Sequence, residues 1–82
     1  MYEIKFTDKA KIQFLKLENE IQERMGSVLE RIKIRPDHFV EKLVGEPGYK
    51  LRVGDYRVIL DIDNNQLIIL ILKVGHRKNI YN

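Results

Sequence analysis

The stretch Tyr49-Lys50-Leu51-Arg52-Val53-Gly54-Asp55-Tyr56-Arg57-Val58-Ile59-Leu60 reads as two alternating segments joined by the turn pair Gly54-Asp55. Glycine and aspartate between β-rich flanks mark a two-residue hairpin. In that register Arg52 stands opposite Arg57, and Lys50, two residues earlier, shares their face. Like charges facing one another across a hairpin are destabilising, so three crowded cations imply an anionic ligand. The same alternation sends Leu51, Val53, Tyr56, Val58, Leu60 and Ile62 to the opposite face, which is apolar and must pack against something. One face builds the core and the other is free for binding.

Working outward, Tyr2 to Phe6 alternates as a short strand, and Thr7 or Asp8 suits a helix N-cap. Ala10, Phe14, Leu17 and Ile21 recur at helical spacing, and Met25, Val28, Leu29 and Ile32 continue the stripe until Pro36 stops it. One helix over that span is long for 82 residues, so a break near Leu17-Glu18-Asn19-Glu20 and a helical hairpin are expected. Residues 35–48 read as a connection with a helical turn around His38 to Leu43. Asn64-Asn65 reads as a second tight turn, since Asn tolerates positive φ. Counting outward from it pairs Arg57 with Leu72 and Ile59 with Leu70, and puts Ile68, Leu70 and Leu72 on the cationic face. The strand Gln66 to Val74 is apolar on both faces, as a central strand would be. The expectation is a single α+β domain over residues 1–82, ordered β-α-α-β-β-β, with a four-stranded antiparallel sheet in strand order 2-3-4-1 and the helical hairpin on one face.

Composition bounds the function. There is no cysteine, and His38 and His76 are far apart in sequence, so no metal site or cofactor is expected. Residues 1–5 open no signal-peptide run, and the longest apolar stretch is broken by Lys73, so a cytoplasmic protein without membrane attachment is expected. Residues 1–49 hold nine Lys/Arg and nine Asp/Glu, whereas residues 50–82 hold six against three. The net charge of +3 therefore sits wholly in the C-terminal part, the electrostatic footprint of a nucleic acid or of an acidic protein partner.

Val74-Gly75-His76-Arg77-Lys78-Asn79-Ile80-Tyr81 brings an imidazole, a guanidinium, an ammonium and a phenol together after the central strand. Such a set can cleave an RNA phosphodiester without a metal. A base takes the 2′-OH proton, cations stabilise the phosphorane, and an acid protonates the leaving 5′-oxygen. Arginine suits the cationic role because its fork matches phosphate oxygens and stays charged. Plainer readings stand beside this one. Lys50 on an edge strand also guards against edge-to-edge pairing, and Asp61 is placed to pair with Arg57 and make it structural. His76 alone reads as a surface histidine, and Tyr81 as a terminal aromatic.

Arg52-x4-Arg57 in a hairpin, preceded by Tyr49-Lys50-Leu51 and followed by Val74-Gly75-His76-Arg77 and Tyr81, resembles the RelE toxins of the RelE/ParE superfamily over nearly the whole chain. The resemblance implies a ribosome-dependent messenger RNA endonuclease, neutralised by a cognate RelB-like antitoxin. By the same resemblance Lys50, Arg57, Arg77 and Tyr81 fall on active-site positions, with Lys or Tyr as proton acceptor and the arginines as phosphate ligands. Arg52 matches a flanking basic position, and with His76 and Lys78 it is expected to contact RNA. The family pattern can carry a further lysine two residues before Lys50, where this chain has Gly48. The alternative within the superfamily is a ParE-like toxin that inhibits gyrase without catalysis.

Overall fold

The computed structural model describes residues 1–79. Strand β1 (Glu3–Phe6) leads into helices α1 (Asp8–Leu15) and α2 (Asn19–Ile32), then a 3₁₀ turn (Pro36–His38) and strands β2 (Glu41–Lys42), β3 (Tyr49–Val53), β4 (Tyr56–Asp63) and β5 (Ile68–His76). Thr7 caps α1, its Oγ1 accepting from the Ala10 N–H at 3.1 Å. The helical stripe breaks where expected, between Leu15 and Asn19. Ala10, Met25, Leu29 and Ile32 from the helices bury against Leu51, Val53, Val58, Leu60, Ile69, Ile71 and Val74 of the sheet. This core lies on the face that alternation assigned to it, and each fully buried aliphatic side chain contributes about 1.5–3 kcal/mol of transfer free energy.

The sheet is five-stranded and mixed, in the order β1-β5-β4-β3-β2, not four-stranded and antiparallel. The expected order of the four longer strands holds, but β1 runs parallel to β5, with Glu3 opposite Ile68 and Phe6 opposite Ile71. Two residues from the connecting segment supply the additional strand: Glu41 and Lys42 pair with Lys50 and Tyr49. The connection thus holds a 3₁₀ turn and an edge strand in place of a helical turn over 38–43. Lys50 is covered by β2, and only Leu51 to Val53 remain at the free edge of β3.

The first hairpin matches its expected register, Arg52 opposite Arg57. Gly54 has φ +60, as the first central residue of a type II′ turn requires. The second hairpin does not match. Asp63 pairs with Ile68, leaving a four-residue loop in which the Asp63 carboxylate accepts from the Asn65 and Gln66 N–H groups at 2.9 and 3.0 Å. Leu67, not an asparagine, takes positive φ (58°). The acidic side chain organises the turn by capping its amides, which a reading of Asn64-Asn65 as the turn missed.

A β-bulge at Ile59/Leu60 shifts the β4–β5 register again, so Arg57 faces Gly75 and Ile59 faces Lys73 while Leu60 faces Ile71. Leu72 is the extra residue on β5. Past Phe6 the outer side of β5 has no strand partner among the described residues, and the Val74 N–H instead donates to Gln13 Oε1 of α1 at 2.8 Å.

Candidate functional site: a basic sheet face

The bulge decides which side chains share the cationic face. Simple alternation along β5 would put Lys73 with Ile69 and Ile71, inside the core. Burying an unpaired ammonium there is prohibitive, and the inserted Leu72 moves Lys73 to the other face, where it is exposed. Two rows of residues then cross that face. One runs Glu41, Lys50, Ile59, Lys73 and the other runs Arg52, Arg57, Gly75. Lys50 and Lys73 stand two strand spacings apart, about 10 Å. Lys73 is a site residue that reading by alternation missed, and the signal was in the sequence: a lysine in a central strand that has to leave the core through a bulge.

Beneath the rows lies a second apolar cluster, Leu43 and Ile59 buried with Leu72 packed on them. Beside it Phe39, Glu41, Lys50, Leu51, Arg52 and Arg57 line a pocket of ≈ 90 Å³. Phe39 is 45% exposed and offers an aromatic face next to three cations, a combination that stacks a nucleobase while holding its phosphate. Neither Phe39 nor Glu41 stood out in the sequence, because the residues between Pro36 and Tyr49 carry no period.

The ion pairs show which cations remain available. Lys50 Nζ lies 4.0 Å from Glu41 Oε2, and Arg77 Nε lies 3.9 Å from Asp55 Oδ1. Among the described residues no carboxylate is within 4.0 Å of Arg52, Arg57 or Lys73. Asp61 does not neutralise Arg57; its Oδ1 accepts from the Ile62 N–H at 3.0 Å instead.

Arg77 is drawn to the hairpin tip by its backbone, its N–H donating to the Asp55 carbonyl at 2.8 Å. Gly75, opposite Arg57, adds no side chain to the face next to this tip. His76 does not join this cluster. It pairs with Tyr56 on the helix-covered side, where the two rings meet edge to face with centroids 5.3 Å apart. The Lys78 N–H donates to His76 Nδ1 at 3.2 Å, and Lys78 itself is exposed beyond the strand. Tyr81 lies outside the described residues.

Gly48 stands where the RelE pattern can carry a further lysine. Its φ is +108, and a Cβ there would meet the Leu60 carbonyl oxygen at 3.2 Å and Leu43 Cδ1 at 3.4 Å. Its carbonyl accepts from the Leu43 N–H at 3.0 Å, closing the loop between β2 and β3. A side chain here would be strained by the backbone and crowded by the Leu60 carbonyl, and the basic face is built without that lysine.

Residues 4–81 match the family of ParE toxins of type II toxin–antitoxin systems, parDE. A putative RelE-like toxin protein of Escherichia coli is 30% identical, over 99% of this chain and 90% of the relative. The Mycobacterium tuberculosis RelBE2 toxin–antitoxin complex contains a chain with TM-score 0.79 and 29% identity, covering 93% of this chain and 98% of that one. The intact E. coli RelBE complex gives TM-score 0.79 and 25% identity, over 93% and 96%. By the family match and by this kinship the chain belongs to the ParE toxin family of type II toxin–antitoxin systems, as a RelE-like toxin.

Proposed function

We propose that this toxin is a ribosome-dependent endonuclease that cuts messenger RNA in the A site without a metal. The observation that carries the reading is the Arg52–Arg57 pair, two cations held opposite one another with no carboxylate partner among the described residues. Such a pair is costly until an anion arrives. In the reaction a base removes the 2′-OH proton and the 2′-oxygen forms a bond to phosphorus. The bond from phosphorus to the 5′-oxygen then breaks, and the leaving oxygen is protonated. The products are a 2′,3′-cyclic phosphate, or its opened form, and a 5′-OH end. Arg57 and Arg77 act on the phosphorane charge, and Lys50 or Tyr81 accepts the proton. Arg52 and Lys78 hold the RNA backbone. His76, on the other face, is left with a supporting role through Tyr56.

The partner that silences it is a RelB-like antitoxin, as the RelBE complexes among its structural relatives suggest. An acidic, extended segment of that partner would cover the basic face or pair with β3 at Leu51 to Val53. The cytoplasm, where ribosomes and messenger RNA meet, is the compartment this reading requires.

Primer extension on a translated message, with chemical identification of the RNA ends, tests the proposal. Cuts within ribosome-protected codons that leave 5′-OH ends are expected. A second reading is favoured by the parDE description of the matching family: the protein inhibits gyrase and cleaves nothing. Intact messenger RNA with accumulating cleaved DNA complexes would establish that reading instead.

A further inference from the structure

A second cavity, of ≈ 430 Å³, lies around the free edge of β3, lined by Arg24, Ser27, Val28 and Arg31 of α2 with Arg52, Val53 and Gly54. Arg24, Ser27/Val28 and Arg31 share one helix face, since they are spaced by three, four and seven residues. Arg24 and Arg31 are exposed, and neither has a carboxylate within 4.0 Å among the described residues. The Arg24 guanidinium lies flat against the turn: a Cβ on Gly54 would meet its Nη1, Cζ and Nη2 at 3.1, 3.3 and 3.4 Å. The glycine that makes the tight turn thus also makes room for this cation. Arg31 sits in the last turn of α2, where the helix dipole favours a cation, but the dipole does not account for three arginines lining one groove.

Arg52 lines both this groove and the smaller pocket on the sheet face. The two cavities are therefore consecutive stations around one edge of the sheet. Counting charge along the chain hides this, because Arg24 and Arg31 belong to the half in which acids and bases balance. We infer that the Arg24–Arg31–Arg52 groove is a second phosphate-binding station that carries the single-stranded RNA backbone leading to or from the sheet face. The lining favours a polyanion with regularly spaced charges over an acidic peptide. Only Val28 and Val53 are apolar there, too little to anchor peptide side chains, whereas planar guanidinium forks fit phosphate oxygens. The inference rests on the reading of the sheet face as an RNA site, and its test separates the two.

Binding is measured with 2′-O-methylated oligonucleotides, which lack the attacking hydroxyl, at lengths of about 4 and about 12 nucleotides, short and long on the scale of single-strand sites. The Arg24→Ala/Arg31→Ala double variant, checked for folding by thermal unfolding, should bind the short strand like wild type and the long strand several-fold more weakly. The slope of log affinity against log salt for the long strand should become shallower by about 1.4, at about 0.7 for each phosphate no longer neutralised. An unchanged long-strand affinity and slope in the double variant, with Arg57→Ala still weakening the short strand, overturns the groove while leaving the sheet face standing. If Arg57→Ala changes neither strand, the sheet-face reading itself fails. Loss of polyglutamate binding in the double variant with RNA binding unchanged also overturns the inference, assigning the groove to an acidic protein segment.

Discussion

Arg77 and Asp55 are joined twice, once through backbone at 2.8 Å and once through Nε and Oδ1 at 3.9 Å. The segment that follows the central strand is thereby latched to the turn between β3 and β4, although 22 residues separate the two positions in sequence. The backbone bond sets the position of Arg77, and the side-chain pair, 57% and 69% exposed, adds little stability.

On the proposed reading, that weak pair would compete with RNA for the Arg77 guanidinium. Asp55→Asn keeps the backbone latch and removes the competing charge. Stability should change by no more than about 1 kcal/mol, while affinity for single-stranded RNA rises. Weaker RNA binding by the folded variant would show that Asp55 orients Arg77 and does not restrain it.

Arg57→Ala and Arg77→Ala should each lower cleavage on ribosomes by at least about 10²-fold, because each removes a fixed cation from the developing phosphorane charge. Both positions are outside the apolar core, so the unfolding midpoint should stay close to wild type. Cleavage by both variants at near-wild-type rates would exclude them from the chemistry.

Lys73→Ala tests the residue that the bulge delivers. Exposed and off the core, it should leave stability unchanged. The salt dependence of RNA binding should become shallower by about 0.7, for the one phosphate left without its cation. A wild-type slope would place Lys73 outside the RNA path.

Phe39→Ala should weaken RNA binding by about 1–3 kcal/mol if a base stacks on the ring, and Phe39→Tyr should restore it. Equal binding by all three proteins, measured by fluorescence anisotropy, would reduce Phe39 to an exposed aromatic beside the pocket.

Gly48→Lys, which rebuilds the RelE pattern in this chain, should destabilise the fold by roughly 1–3 kcal/mol, since a side chain is forced onto a backbone conformation reserved for glycine and against the Leu60 carbonyl. Denaturant unfolding measures the loss. A variant as stable as wild type would mean that the loop between β2 and β3 adjusts freely.

The helices, the core face and the first hairpin were legible because each is written in a local period or a turn pair. Thr7 and Pro36 bracket the helical hairpin, and Gly54-Asp55 sets the register that opposes Arg52 to Arg57. The direction of β1 was not legible, since alternation in Tyr2 to Phe6 buries Ile4 and Phe6 whether the strand runs parallel or antiparallel. Glu41-Lys42 is too short to show a period at all. The second hairpin misled because the Asp63 carboxylate, capping the amides two and three residues on, set the turn in place of the asparagines. Of the candidate site, Lys50, Arg52 and Arg57 share one face as the sequence indicated, and Arg77 lies at the hairpin tip against Asp55. His76 falls on the other because it follows Gly75 by one position in a strand, and alternation after the bulge decides its side.

Strand β5 lies between β1 and β4 and supplies Ile69, Ile71 and Val74 to the core, so the sheet cannot close until β5 has been made. Pairing Glu3 with Ile68 gives the fold a long-range contact that slows its completion. During synthesis, β1 and both helices must wait without their central partner, and a chain interrupted before β5 lacks Ile69, Ile71 and Val74 of its core. Assembly is thus ordered by translation: every other described strand is made before the one strand they need.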